Sequence, residues 1–341
     1  MKTKSAFVTG ANGFIGSYLT KYLAEQGIET TAFILKGTDC FLLKNIYPSL
    51  KNVRIVEGNI LDKDSLRKHV KGMNYIFHLA GVIKGYSQED FDRVNIIGTK
   101  FLFDACSNNS HELERLVIVS SSSAAGYGTP EDPLVEDKVA EPILNDCYGI
   151  SKYRMECLAK SYNEKLPISI VRPCSVLGPG NYVTLDNYKT VKLGIKLMMA
   201  GPKRYMSVVD VEDLTRGIFL CAENPKAIGE VFYFSNERIV SLIDLSEIVN
   251  YKIFNRKYGS LLTINVPRFA LHLVASLLEF IHKLQRKPAP FFNRSKVPGV
   301  FAPGQVVSSE KARKILGWKP KYTIVETVTR EGKWNQDQGW I

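Results

Sequence analysis

A tyrosine four residues before a lysine occurs three times in this chain, and such a pair can carry out proton-transfer chemistry. On a helix, residues at this spacing lie on one face, so both side chains can enter the same cleft. A free phenol has a pKa of about 10, and a nearby ammonium group lowers that pKa by stabilising the phenolate. The tyrosine could then exchange a proton with a substrate oxygen. The three pairs are Tyr47 with Lys51, Tyr148 with Lys152, and Tyr188 with Lys192.

Residues 5–27 predict a strand, a glycine turn and a helix of the kind that binds a dinucleotide. A short apolar run leads into Gly10, Gly13 and Gly16, and apolar residues then recur at helical spacing up to Gly27. Glycines at these places let the chain turn tightly, let a pyrophosphate approach the backbone, and let the helix pack on the strand. The N-terminus of the helix would then face the phosphates.

Further apolar runs of strand length alternate with amphipathic stretches. They cover residues 30–35, 52–58, 74–81, 115–122 and 167–173. This alternation predicts an α/β fold with a Rossmann-type doubly wound parallel sheet, which binds its ligand at the C-terminal ends of the strands. We place this NAD(P)-binding domain at 1–173 and about 205–229, and a smaller, discontinuous substrate-binding lobe at about 174–204 and 230–341. Polar or small residues at the strand ends are Asn59, Ala80, Gly81 and the serines at 120–123, with a plain loop residue as the alternative for Asn59.

Position in this predicted fold selects Tyr148 from the three tyrosines. Tyr47 lies between the second and third strands, on the side that should hold adenosine, and Tyr188 lies beyond the last strand of the first half. Tyr148 instead begins the helix between the fifth and sixth strands, near the strand ends where nicotinamide would sit. The serines at 120–123 could polarise the substrate oxygen from a second direction.

The second predicted strand lacks, at its end, the carboxylate that often holds the ribose of NAD. Ile34 or Leu35 stands there and Lys36 follows, with Lys44 further along. A lysine at this place could pair with the 2′-phosphate of NADP. The sequence therefore favours NADP over NAD, with a solvated loop lysine as the alternative interpretation.

The order of short motifs resembles the extended short-chain dehydrogenases/reductases, also called NAD-dependent epimerase/dehydratases. These motifs are TGxxGxxG at 9–16, "HLAG" at 78–81, "NIIGT" at 95–99, the serine run before "YG" at 127–128, "YGISK" at 148–152, "RP" at 172–173, "SVVDVEDL" at 207–214 and "ARKILGWKP" at 312–320. The resemblance covers nearly the whole chain. It implies that Ser123, four residues before the tyrosine of "YG", binds the substrate oxygen, that Tyr148 is the acid/base, and that Lys152 lowers the pKa of Tyr148 and binds the nicotinamide ribose.

The predicted cofactor site combines the strand-end residues with the family motifs. Its members are Gly10, Asn12, Gly13, Phe14, Ile15, Gly16, Lys36, Asn59, Ile60, Leu79, Ala80, Gly81, Asn95, Ser121, Tyr148, Lys152 and Pro173.

Two features distinguish this chain from sugar-nucleotide enzymes of the same family. Ala124 and Ala125 stand where the dehydratases carry an acidic pair, and Ser175 stands where UDP-galactose epimerases carry an asparagine. The run "IVRPCSVLGPG" instead resembles dihydroflavonol reductases and 3β-hydroxysteroid dehydrogenases. We therefore expect an NAD(P)-dependent oxidoreductase that acts on an uncharged carbonyl or alcohol. An NDP-sugar epimerase with tightly bound NAD is the enzymatic alternative, and a nucleotide-sensing regulator is a third.

The composition indicates the cellular compartment and the kind of partner to expect. Six cysteines occur without a CxxC pair or a His-rich partner spacing, which argues against a disulfide framework and a metal site. No signal peptide is apparent before the first predicted strand, so we expect a cytoplasmic protein. The expected partner is a small-molecule substrate and not a nucleic acid, and a homodimer is left open.

The formal net charge of +11 is concentrated late in the chain. Residues 251–300 contain nine Lys or Arg and a single acid, Glu279. Within them, residues 266–287 are mostly apolar, with basic residues at the C-terminal end, and they are too short and too interrupted for a confident transmembrane helix. One interpretation is a helix that covers the active site and buries its faces against the main domain. The other is a helix that lies on an anionic membrane surface.

Overall fold

Seven parallel strands form the central sheet of this computed structural model, which describes residues 3–108, 112–290 and 292–341. The strands of the described residues are β1 (Ser5–Thr9), β2 (Glu29–Leu35), β3 (Val53–Gly58), β4 (Tyr75–His78), β5 (Arg115–Val119), β6 (Ile168–Pro173), β7 (Ser175–Leu177), β8 (Ile195–Met199), β9 (Tyr205–Met206), β10 (Val208–Asp210), β11 (Val231–Phe234), β12 (Leu262–Val266) and β13 (Gly304–Gln305). The central sheet has the order β11-β6-β5-β4-β1-β2-β3. Three further pairs, β10 with β7, β12 with β8 and β13 with β9, lie outside it.

Helices connect the parallel strands and build the lobe. The α-helices are α1 (Phe14–Glu25), α2 (Phe41–Ile46), α3 (Lys63–Val70), α4 (Gln88–Asp92), α5 (Thr99–Ser107), α6 (Cys147–Lys160), α7 (Leu185–Lys192), α8 (Val211–Glu223), α9 (Leu242–Phe254), α10 (Arg268–Leu284), α11 (Val297–Val300), α12 (Glu310–Leu316) and α13 (Ile324–Asp337). A π-helical turn covers Arg93–Gly98 and a 3₁₀ turn covers Ser122–Ala124. Within the described ranges, no helix has both the length and the apolarity needed to cross a membrane.

The sheet confirms the predicted α/β, doubly wound fold. After β1 the chain moves outward through β2 and β3, and it then returns to place β4 on the other side of β1. Ligands of such sheets bind where the strand order reverses, outside the carboxyl ends of the strands. The loops after β1 and β4 therefore border the predicted cofactor crevice.

The central sheet extends past the domain boundary that the sequence predicts near residue 229. Strand β11 pairs in parallel with β6, with Phe232 opposite Val171, and its residues from Phe232 to Phe234 are buried. A four-residue apolar run is too short for its periodicity to assign it to the sheet. Its place also depends on pairing with β6, a strand much earlier in the chain. The strand belongs to the central sheet, and the remaining division into domains stays a prediction.

Candidate active site

The glycine turn after β1 leaves no room for larger residues. Gly10 has a φ of +69°, and a Cβ there would lie 2.8 Å from the backbone nitrogen of Ala80. A Cβ on Gly16 would lie 2.1 Å from the carbonyl oxygen of Gly10. The turn therefore packs directly against the loop after β4 and against its own helix, and it leads into the N-terminus of α1, the kind of helix end that binds phosphate.

A buried chain of hydrogen bonds ties this turn to the loop after β4. The Thr9 hydroxyl accepts from the backbone nitrogens of Leu79 (3.2 Å) and Ala80 (3.1 Å). His78 lies between two threonines, with its Nδ1 2.8 Å from Thr9 Oγ1 and its Nε2 2.8 Å from Thr99 Oγ1. Burial lowers the pKa of His78 to about 3, so the ring is neutral and serves as a connector.

Asn95 fastens the same loop to the helix that carries the predicted catalytic residues. Its Oδ1 accepts from the backbone nitrogen of Val82 (2.8 Å), and its Nδ2 donates to Ser151 Oγ (2.9 Å). A Cβ on Gly81 would lie 2.9 Å from Asn95 Oδ1 and 3.6 Å from Lys152 Nζ. The structure thus brings three predicted cofactor residues together, although the Asn95 amide is engaged with protein groups.

The other predicted cofactor residues lie at or after the C-terminal ends of β1, β2, β3 and β6. Asn12 Nδ2 donates to Thr38 Oγ1 (2.9 Å) and to the Asp39 carbonyl (2.8 Å), which links the glycine turn to the loop after β2. Lys36 is exposed in that loop. Asn59 is also exposed, and its side chain accepts from a backbone N–H two residues on, as a turn residue does. Gly13 is exposed in the glycine turn, and Phe14 and Ile15 begin α1. Ile60 is buried just after β3, and Pro173 is buried at the end of β6.

Ser123 and Tyr148 line one cavity of about 400 Å³ between the sheet and the lobe. Desolvation raises the pKa of Tyr148 to about 12, while a hydrogen bond with Ser121 lowers it. Ser123 Oγ accepts a hydrogen bond from Gln305 Nε2 (3.4 Å). A serine hydroxyl and a tyrosine phenol therefore line the same cavity.

The tyrosines of the other two tyrosine–lysine pairs make structural hydrogen bonds. The Tyr47 hydroxyl donates to the carbonyl of Lys51 (3.2 Å) at the end of α2. Tyr188 is buried in the core of the lobe and donates to the carbonyl of Val328 (3.0 Å). Neither tyrosine lines the cavity that contains Tyr148.

Lys152 lies buried one helical turn after Tyr148. Its Nζ donates to the carbonyl oxygen of Val119 (2.9 Å) at the end of β5. Desolvation lowers the pKa of Lys152 to about 8, and the charge of Glu156 raises it. Since the phenol of Tyr148 keeps a raised pKa in this arrangement, the activation of Tyr148 by Lys152 stays a prediction.

Two charged residues next to Tyr148 were not among the predicted site residues. Lys296 Nζ lies 4.4 Å from the centroid of the Tyr148 ring, within cation–π range. Asp146 directly precedes α6 and is buried, and its Oδ1 has no hydrogen-bond partner among the described residues. Desolvation lowers the pKa of Lys296, while the charge of Asp146 raises it. The basic excess of residues 251–300 was the available signal, but it gave no position relative to Tyr148.

The rest of the cavity wall is mainly apolar. Its apolar members are Leu197, Met198, Met199, Pro202, Met206, Leu242, Ile243, Phe292, Val300 and Ala302. Lys203 and Arg204 also line it, but Lys203 pairs with Asp244 (3.3 Å) and Arg204 donates to backbone carbonyls, including that of Met199 (3.3 Å). The cavity therefore suits an apolar molecule with a polar group at the end that faces Ser123 and Tyr148.

A buried ion pair fixes the helix that carries Tyr148 and Lys152. Arg172 on β6 donates from Nη2 to Glu156 Oε2 (2.6 Å) and from Nε to Oε1 (2.9 Å). The Ser120 hydroxyl donates to the same carboxylate (2.5 Å), and the Tyr233 hydroxyl on β11 accepts from Arg172 (2.9 Å). The arginine of the "RP" motif and the first serine of the run thus position α6 against the sheet.

The chain resembles known proteins over almost its full length. The sterol-4-alpha-carboxylate 3-dehydrogenase (decarboxylating) of Mus musculus is 26% identical over 355 residues, which cover 96% of this chain and 90% of that protein. The 3 beta-hydroxysteroid dehydrogenase type 7 of Mus musculus is 24% identical, with coverage of 96% and 95%. The crystal structure of dTDP-glucose 4,6-dehydratase from Bacillus anthracis in complex with NAD has the same fold, with a TM-score of 0.77, 18% identity, and coverage of 98% of this chain and 97% of that one.

A family model matches most of the chain. The model of the NAD dependent epimerase/dehydratase family matches residues 6–233, which include the glycine turn, the serine run, Tyr148 and Lys152. The predicted resemblance to extended short-chain dehydrogenases/reductases, and to their 3β-hydroxysteroid dehydrogenase branch, is confirmed by these matches. This chain therefore belongs to the NAD dependent epimerase/dehydratase family.

Proposed function

We propose that the protein is an NAD(P)-dependent oxidoreductase that interconverts a carbonyl and an alcohol on an uncharged, largely apolar substrate. The observation that carries this proposal is the shared cavity, with Ser123 and Tyr148 at one end and apolar side chains along most of its wall. Hydride chemistry needs a hydrogen-bond donor and a proton carrier at the substrate oxygen, and both are present. The name of the sterol-acting relative supports an apolar substrate.

The residues along the crevice fit a dinucleotide. A Cβ at Gly10 or Gly16 would clash with neighbouring backbone atoms of this tight turn, and the exposed Gly13 directly precedes the start of α1. Gly10, Gly13 and Gly16 would hold the pyrophosphate, and Lys152 would hold the nicotinamide ribose. A nicotinamide bound there would supply or accept the hydride.

The chain's own residues then manage the substrate oxygen. During reduction, the Ser123 hydroxyl donates a hydrogen bond to the carbonyl oxygen, and Tyr148 gives its phenolic proton to that oxygen as negative charge develops. During oxidation, the Tyr148 phenolate takes the alcohol proton. A cationic Lys152, one helical turn after Tyr148, and the Lys296 ammonium beside the ring would both favour the phenolate.

Substitution of Tyr148 tests this function. A panel of apolar ketones and aldehydes is screened with NADPH and with NADH by loss of nicotinamide absorbance. On any substrate found, Tyr148→Phe is expected to lower kcat by about 10²–10⁴-fold, because it removes the proton carrier, while cofactor binding by fluorescence is retained. Tyr258→Phe, at an exposed lobe tyrosine, is the matched control and should leave kcat unchanged.

Two results would overturn the proposal. Interconversion of NDP-sugars without net consumption of nicotinamide, by protein that retains NAD on purification, would identify an epimerase. A Tyr148→Phe variant with undiminished turnover would remove Tyr148 from the chemistry and favour a protein that only binds the nucleotide.

A further inference from the structure

We propose that helix α10 docks this protein on the surface of an anionic lipid bilayer, with the helix lying in the plane of the interface. This inference does not depend on the proposed reaction, because it rests on the surface of the lobe and not on the cavity chemistry.

The apolar face of α10 points away from the protein. Seven large apolar side chains of the helix are exposed by 37% to 75%: Phe269, Leu273, Val274, Leu277, Phe280, Ile281 and Leu284. At 3.6 residues per turn they occupy a single arc of about 140°, which is the width of a face that normally packs on a core. An apolar patch of this kind on a protein surface marks an interaction site.

The opposite face of the helix is the one that packs on the protein. Its only fully buried members are Ala275 and Glu279. Glu279 accepts from the backbone nitrogen of Arg294 (2.8 Å) and from its Nε (3.0 Å). The helix packs mainly against α11 and the 3₁₀ turn Arg294–Lys296. The interpretation in which α10 buries its faces against the main domain is therefore wrong, because its apolar arc is on the outside.

The charges around this face match an anionic surface. Lys283, Arg286 and Lys287 are exposed at the C-terminal end of the helix, and Arg268 is exposed at its start. Helices with an apolar face and basic flanks lie in the headgroup region of a bilayer, and each basic residue near the surface adds about 1 kcal/mol of attraction to anionic lipid. A second copy of the chain would bring the same positive charges against each other.

The segment on which α10 packs also forms part of the cavity wall. Helix α11, on which α10 packs, contributes Gly299 and Val300 to the cavity wall, and Phe292 and Lys296 precede it in the same wall. The segment is also tied to the main domain, since the Tyr86 hydroxyl donates to the carbonyl of Lys287 (3.0 Å). A bilayer bound to α10 would therefore lie close to the apolar cavity.

Vesicle flotation tests the proposal with the full chain and no cofactor. Wild-type protein is expected to float with phosphatidylcholine vesicles that contain phosphatidylserine, and to float much less with phosphatidylcholine alone. The double variant Leu273→Glu with Leu277→Glu should lose flotation, because it places carboxylates in the apolar arc. The triple variant Lys283→Ala, Arg286→Ala, Lys287→Ala should bind about a hundredfold more weakly, since three attractions of about 1 kcal/mol are removed.

A matched control and a second measurement keep the outcomes distinct. Leu144→Glu changes an equally exposed leucine that lies far along the chain from α10, and it should float as wild type does. The mass of each protein without vesicles is measured by light scattering. Wild type that stays unbound to both kinds of vesicle overturns the proposal, and so does a wild-type dimer that the Leu273→Glu, Leu277→Glu variant converts to a monomer without any vesicle binding. Because flotation needs no turnover, failure of this proposal leaves the proposed reaction untouched.

Discussion

Lys36 occupies the place from which a carboxylate would select NAD. Strand β2 ends at Leu35, which is exposed, and Lys36 follows in an exposed turn. Asp39 lies two residues before α2, and its Oδ1 accepts a hydrogen bond from the backbone nitrogen of Phe41 at the start of that helix (2.5 Å). Asp39 is the one acid among residues 35–40, and its carboxylate is engaged with the backbone, so we propose that Lys36 makes the protein prefer NADP.

Substitution of Lys36 measures that preference. Lys36→Ala is expected to weaken NADPH binding by about 10- to 150-fold and to leave NADH binding nearly unchanged, because a hydrogen bond to a charged group contributes about 1.5–3 kcal/mol. Dissociation constants for both nucleotides are obtained by fluorescence titration of wild type and variant. Lys226→Ala, at an exposed lysine beyond α8, is the control. An unchanged ratio of the two constants would remove Lys36 from cofactor selection.

Residue types predict part of the candidate site and miss the rest for a physical reason. The serine run at 120–123 follows a strand and Tyr148 begins a helix, which are local signals, while the family resemblance selects Ser123 from the run; the structure places Ser123 and Tyr148 at one cavity. Lys296 and Gln305 reach the same cavity from the lobe, and their approach depends on how a long connection folds back over the sheet. No spacing in the sequence encodes that approach, so only the three-dimensional path of the chain reveals it.

At the scale of one element, helix α6 depends on a single buried carboxylate. Glu156 lies one turn after Lys152 and two turns after Tyr148, and its contacts with Arg172 and Ser120 join α6 to β6 and to the residue that follows β5. Both members of the ion pair are almost fully buried, with exposures of 2% and 3%. The pair fixes the height and rotation of the helix, and therefore the direction of the two side chains that precede it.

Removal of this carboxylate is expected to destabilise the protein. Glu156→Gln leaves Arg172 buried without its counter-ion, and breaking one partner of a buried pair costs about 3–5 kcal/mol. The free energy of unfolding is measured by urea denaturation. Glu310→Gln disrupts an exposed pair with Lys314 on α12 and should leave the denaturation midpoint unchanged. A cost below about 1 kcal/mol for Glu156→Gln would show that the helix is held by its apolar contacts instead.

Elements differ in how well the sequence predicts them. The first six strands of the sheet follow from apolar runs between glycine turns and amphipathic stretches, because parallel strands buried on both faces have that pattern. Strand β11 has the same composition but is separated from its neighbour β6 by part of the lobe. Helix α10 has a clear periodicity. Periodicity identifies which side of a helix is apolar, but it does not show whether that side packs on the protein or is exposed. In this molecule that face is exposed.

At the scale of the whole molecule, Glu331 couples the C-terminal helix to the loop after β7. Its side chain is fully buried on α13, where Oε2 accepts from the backbone nitrogen of Gly178 (2.8 Å) and Oε1 accepts from the Thr184 hydroxyl. Desolvation raises the pKa of Glu331 from 4.5 to about 8, and the charge of Asp210 adds to the increase. Near neutral pH the folded protein therefore holds a proton that the unfolded chain releases.

This proton makes stability depend on pH. A carboxyl with a raised folded-state pKa stabilises fully below its unfolded pKa, here 4.5, and loses that contribution as pH rises through about 8. His78 acts in the opposite direction, since its pKa falls from 6.5 to about 3 and its contribution grows as pH rises toward 6.5. Asp210, with a pKa raised to about 6, acts in the same direction as Glu331 but at lower pH. Lys152, whose pKa falls from 10.5 to about 8, acts in the same direction as His78 but mainly above pH 8. The window between 6.5 and 8 therefore reports mainly on Glu331.

The free energy of unfolding of the wild type is thus expected to fall across that window by about 1–2 kcal/mol, at 1.36 kcal/mol per pKa unit. Glu331→Gln keeps a carbonyl oxygen that can accept from Gly178 and Thr184 but carries no titrating proton, so its stability should stay nearly flat over the same range. Urea denaturation at half-unit pH steps measures both slopes, with Glu131→Gln at an exposed loop position as the control. Equal slopes for wild type and Glu331→Gln would mean that Glu331 is ionised in the folded protein. The buried contact between α13 and the loop after β7 would then have to accommodate a full negative charge.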